Sequence, residues 1–142
     1  MRYYLTDTVT PTANPQTLFQ VLAPTNQAVK ILGADVALQG STPATSPVLF
    51  DWVIQTTAGT ASTATGQLED RGGDDSIRAT LLTDFTSEPT AGSIIIEFGI
   101  HQQGTAFWRP PMPLKVKGAE RLGLRYKSGT FVPVILTVYL EE

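Results

Sequence analysis

The sequence predicts an all-β protein: an antiparallel β-sandwich or barrel of jelly-roll type, with about eight or nine strands. Three observations predict it. Apolar residues recur with period two in short segments, and no long segment carries the 3.6-residue period of a helix. Twelve glycines and ten prolines punctuate the 142 residues, so turn signals fall between the segments at short intervals. Charged residues are only 16% of the chain, below the roughly 25% common in soluble domains, and Thr, Ser, Ala and Gln take their place.

Residues 1–16 are expected to form an N-terminal arm or first strand, and residues 17–142 a single sandwich domain. Tyr3 and Tyr4 in the arm are amphipathic anchors of the kind found at interfaces. Asn14-Pro15 could open a helical turn, but residues 17–22 are rich in strand formers and are assigned a strand. Residues 29–38 follow as a long strand with a bulge at Gly33, and residues 39–47 are dense in turn formers. In the strand 48–56, Val48, Phe50, Trp52 and Ile54 share one face while Asp51 and Gln55 take the other, which places Trp52 in the core.

Residues 57–66 are small and polar, and the excursion they begin continues to residue 75 without an expected packed element. Residues 77–85 resume the sheet. Residues 93–101 are expected to be a core strand, with Ile94, Ile96, Phe98 and Ile100 on its buried face. A reversal at 102–104 leads into 105–110, prolines at 111 and 113 interrupt pairing, and 114–117 form a short strand.

The last 23 residues, 120–142, are expected to close the sandwich as a hairpin. Val132, Val134, Leu136, Val138 and Leu140 fall on one side of its final strand. Phe131, Pro133, Ile135, Thr137 and Tyr139 fall on the other, which is also uncharged. A sandwich strand ordinarily wets one face. Something is therefore expected to cover the outer side, either a neighbouring loop or another subunit. The interface candidates are Tyr3, Tyr4, Phe107, Trp108, Arg109, Phe131, Ile135, Thr137 and Tyr139. Within that set Phe107, Trp108 and Arg109 form an aromatic–cation run suited to a protein hot spot or to sugar stacking. Its structural alternative is a plug at one end of the barrel.

A net charge of −3 and a pI near 5.1 give no general basis for nucleic-acid binding. No apolar window approaches a membrane span, and the first residues lack the apolar core of a secretory signal. Residues 1–101 carry −6 and residues 102–142 carry +3, a polarity able to orient docking. There is no cysteine, which removes disulfides and thiolate chemistry and fits synthesis in a reducing cytoplasm. The single histidine, His101, has no triad or metal-ligand partner at recognisable spacing. Glu69, Asp70, Asp74 and Asp75 crowd one loop but match no calcium-loop pattern. No catalytic residue, metal or cofactor is assigned.

Several stretches together resemble the jelly-roll head decoration, or cement, proteins of tailed phages. They are the strands at 17–22 and 29–38, the turns at 55–60 and 88–92, and the strand ending at His101 through Gly104. Residues 118–125 and 138–142 complete the resemblance, which spans most of the chain through fold-like rather than catalytic motifs. It implies a virion structural protein, made in the host cytoplasm and placed on the capsid exterior. Its implied partners are the major capsid protein and itself, as a homotrimer bracing neighbouring capsomers. The alternative is a tail or fibre receptor-binding, or carbohydrate-binding, β-sandwich module.

Overall fold

The chain pairs from its two ends inward. In a computed structural model describing residues 1–41, 46–73 and 75–142, β1 (Arg2–Val9) lies antiparallel to β12 (Val134–Glu141) and β2 (Gln16–Leu22) to β11 (Arg121–Ser128). β3 (Val29–Leu38) pairs with both β9 (Thr105–Trp108) and β10 (Leu114–Val116). β4 (Val48–Gln55) pairs with β8 (Ala91–Ile100), β5 (Thr60–Ala64) with β7 (Thr80–Ser87), and β6 (Gln67–Leu68) with β1.

This nested order packs two antiparallel sheets as a sandwich. The first runs β10-β3-β12-β1-β6 with β9 also beside β3; the second runs β5-β7-β2-β11-β4-β8. Stripped of β5, β6 and β7, and with β9 and β10 taken as one interrupted strand beside β3, the connectivity is that of an eight-stranded jelly roll. The inserted segment between β4 and β8, together with that interruption, raises the number to twelve strands among the described residues. Within the excursion Thr60–Ala64 does find a partner, pairing with β7 despite its small side chains.

Period-two alternation builds the core. Phe19, Phe50, Trp52, Leu124, Tyr126, Val134, Val138 and Leu140 are fully buried between the sheets. Phe19 meets Trp52 edge-on at 6.4 Å, and Phe50 meets Tyr126 edge-on at 5.5 Å, both favoured aromatic geometries. One ion pair is also buried. Asp51 of β4 accepts two hydrogen bonds from Arg125 of β11, at 2.9 and 2.7 Å, in the bidentate arrangement that best offsets desolvation.

Four sequence expectations are corrected. The closing segment is not a hairpin: β11 and β12 belong to different sheets, and residues 129–133 carry the chain across. Gly129, with φ of 133°, turns the chain, and Pro133 lacks the N–H that a paired strand would use. Consequently the final strand starts at Val134, leaving Phe131 and Pro133 outside it. Residues 93–101 are not a core strand. β8 is the sheet edge, with Ile94 and Ile95 exposed, because among the described residues only β4 flanks it. The strand expected at 77–85 begins at Thr80. The bulge expected at Gly33 falls one residue earlier, since Leu32 is skipped in the register between β3 and β12. The turn expected at residues 42–45 and the acidic side chain of Asp74 lie outside the described residues.

Candidate functional site

The outer face of the first sheet gathers most of the interface candidates. Cross-strand register aligns them in rows. Tyr4 of β1 stands opposite Tyr139 of β12, and Tyr139 opposite Gly33 of β3. In the next row Thr6, Thr137, Asp35 and Phe107 lie side by side across β1, β12, β3 and β9. Ile135 sits one row further, between Thr8 and Ala37. The face is therefore an array of Tyr, Thr, Ile and Phe spread over four strands.

Its charges are matched within the chain. Arg109 leaves β9 and lies across the sheet, with its guanidinium 4.9 Å from the centre of the Tyr139 ring and Nη2 2.7 Å from Asp35 Oδ1. The Tyr139 hydroxyl donates to Asp35 Oδ2 at 2.7 Å, which raises the Tyr139 pKa above the ordinary phenol value. Gly33 makes room for this arrangement, since a Cβ there would come within 2.6 Å of Arg109 Cδ. At the rim Glu141 holds both Arg2, at 3.0 Å, and Lys30, at 2.7 Å. Those two hydrogen bonds, Lys30 first, keep the Glu141 carboxyl down at about 2. The Thr6 and Thr137 hydroxyls bond across the strands at 3.0 Å. Beside this array, Leu32 at the bulge, Tyr4, Tyr139, Arg2, Glu69 and Arg109 line a recess of about 520 Å³.

Three candidates are not part of this face. Tyr3 and Tyr4 are adjacent in one strand and so point oppositely; Tyr3 is core, and burial raises its pKa. The same alternation separates Phe107, which is 71% exposed, from Trp108. Trp108 packs inward, 5.4 Å from Trp52 and 6.2 Å from Phe98. Phe131 lies at the end of the sandwich, 6.2 Å from Tyr126. Residues 1–16 are correspondingly no free arm, since β1 is an interior strand of its own sheet.

Several participants are not among the interface candidates: Asp35, Arg2, Lys30, Glu141 and Gly33, the last expected only as a bulge. Alternation along β3 carried a signal for Asp35, because Ala34 and Val36 on either side are core.

The remaining polar features are local. His101 accepts a hydrogen bond at Nδ1 from the Gln103 backbone N–H, at 3.2 Å, in the turn after β8. Asp70 accepts from the Gly72 N–H at 3.0 Å. Among the described residues, no three His, Cys, Asp or Glu side chains converge as metal ligands. No family model, curated protein or solved structure matches the chain.

Proposed function

We propose that this is a structural assembly protein, a virion component that binds the outside of a phage capsid as a homotrimer and stabilises contacts between capsomers. The observation that carries the proposal is the outer face of β1, β12, β3 and β9. It bears Tyr4, Tyr139 and Phe107, and has Arg109, Arg2 and Lys30 already matched by Asp35 and Glu141. Covering such a face buries aromatic surface without stranding an unpaired charge, which is what a protein–protein contact requires. Tyr and Arg are also the residues that carry most interface energy. Binding the assembled shell in preference to free subunits stabilises the shell by mass action alone. Immunogold labelling of virus particles from the source culture tests this. Dense, regular label over heads is the expected result; label on tail tips or on no particle overturns it.

A second function is favoured by the recess at Tyr4, Tyr139 and Leu32. Two aromatic rings 6.4 Å apart with Arg109, Arg2 and Glu69 at the margin suit a saccharide. The stacking surface would then be Tyr139, not the inward-facing Trp108. Isothermal titration with a panel of neutral and acidic oligosaccharides discriminates the two. Saturable heat that Tyr139→Ala abolishes supports sugar binding, and a flat response across the panel removes it.

A further inference from the structure

One edge of the sandwich is built unlike the others. β8 runs ten residues and has β4 as its only strand neighbour among the described residues. A row of N–H and C=O groups about 33 Å long is thus left facing outward. Sheet edges are ordinarily guarded by shortness, charge or proline. β5, at the opposite end of the same sheet, has five residues, and β6 has two. β10 has three, preceded by prolines at 110, 111 and 113. β8 contains no proline, and its one charge, Glu97, is matched by Lys127. Ile94 and Ile95 stand 46% and 42% exposed on it. Ile95 shares a crevice with Leu114 of the facing sheet, which extends the apolar lip.

We propose that β8 pairs with β8 of a second copy of this chain, antiparallel about a two-fold axis, making the second sheet continuous across both subunits. The strand is complementary to itself in that arrangement. An overlap centred between Ile95 and Ile96 sets Ile95 against Ile96 of the second copy and Ile94 against Glu97, and a second register shift between Ile94 and Ala91 ends the matched stretch. The bulge at Ile95 makes the faces agree within it. Ile94 and Glu97 stand opposite Val53 and Asp51 of β4, which are two residues apart and so share the outer face. The two carboxylates are kept off one another, each beside its own Lys127, while four isoleucines meet at the seam. This contact uses the edge of the second sheet and is independent of the face of the first.

The chain has no cysteine, so introduced thiols report the register directly. Directly opposed residues in an antiparallel pair have Cα atoms about 4.5–5.5 Å apart, within disulfide range. An equimolar mixture of the Ile94→Cys and Glu97→Cys variants, mildly oxidised, is expected to give covalent dimer at about ten times the yield of either variant alone. Tyr139→Glu in the same background should leave that yield unchanged. Sedimentation velocity of the Ile94→Lys, Ile95→Lys double variant should show the β8 self-association weakened about ten-fold or more, with an unchanged circular dichroism spectrum. Equal cross-linking in the mixture and the separate variants overturns the proposal, as does unaltered association in the lysine variant.

Discussion

Replacing Arg125 by Met should destabilise the protein severely, and the structure sets the size of the effect. Arg125 is the bidentate partner of Asp51, whose side chain has no solvent exposure, while that of Arg125 is 10% exposed. Met fills a similar volume, so the substitution removes charge and hydrogen bonds without opening a large cavity. What remains is a buried carboxylate without a counter-ion, for which the expected loss is about 3–5 kcal/mol. Domains of this size have about 5–15 kcal/mol in all, so at least about a fifth of the stability is at stake. In a thermal scan the midpoint should fall by about 10–20 °C. Urea titration gives the free energy directly, provided the slope is unchanged. Two companions isolate the cause. Lys127→Met breaks the more exposed pair with Glu97 and should cost no more than about 1 kcal/mol. Asp51→Leu combined with Arg125→Met removes both charges and should recover most of the loss. An Arg125→Met variant within about 1 kcal/mol of wild type would refute the reasoning, as would a double variant no more stable than the single.

Three further outcomes follow from the same geometry. Glu141 is held at about 2 by Lys30 and Arg2, so its depressed pKa contributes stability above the ordinary carboxylate range that is lost as pH falls through about 2. Glu141→Gln should therefore lower stability slightly at pH 7 and flatten the acid limb of a pH–stability curve below about pH 4.5, the two proteins converging as pH falls through about 2. The Tyr3 hydroxyl is buried without a hydrogen-bond partner, so Tyr3→Phe should leave stability at pH 7 equal or raise it by about 1 kcal/mol. Because burial raises the Tyr3 pKa, wild type gains stability from the neutral phenol that is lost as pH rises past the unfolded value near 10, and Tyr3→Phe should lessen that alkaline loss. Gly33→Ala places a methyl group against Arg109. It should release the guanidinium from Tyr139, visible as a changed tyrosine near-ultraviolet signal, at a stability cost of about 1–3 kcal/mol.

The parts of the fold legible in the sequence were those fixed by local alternation. Trp52 reads as core because Val48, Phe50 and Ile54 share its parity, and it is fully buried. The sandwich class follows from the same rule. Errors arose where neighbours in space, not in sequence, decide. The isoleucines of β8 have the composition of a core strand, but composition does not reveal that one flank has no partner among the described residues. β11 and β12 are consecutive and look like a hairpin, yet the nested pairing of a jelly roll gives each a distant partner. The candidate face was partly legible. Thr137 and Tyr139 were readable as outward, whereas Arg109 reaches them through strand pairing that brings β9 beside β3. The parity of Tyr3 against Tyr4, and of Phe107 against Trp108, was present in the sequence and excludes both members of either pair from one surface. The burial of Asp51 with Arg125 was not legible, because a charge in an alternating strand ordinarily marks the wet face.

The central claim is that the outer face of the first sheet is a subunit interface. Light scattering coupled to size-exclusion chromatography, on wild type and on Thr137→Arg and Tyr139→Glu, tests it most directly. With the β8 contact removed by Ile94→Lys and Ile95→Lys, the otherwise wild-type chain should elute at about three times the 15.3 kDa chain mass, and each variant in that background should lose that trimer contact while keeping its β-sheet circular dichroism. Variants that retain the wild-type mass, or a wild type in which the face makes no contact between copies, would contradict the account.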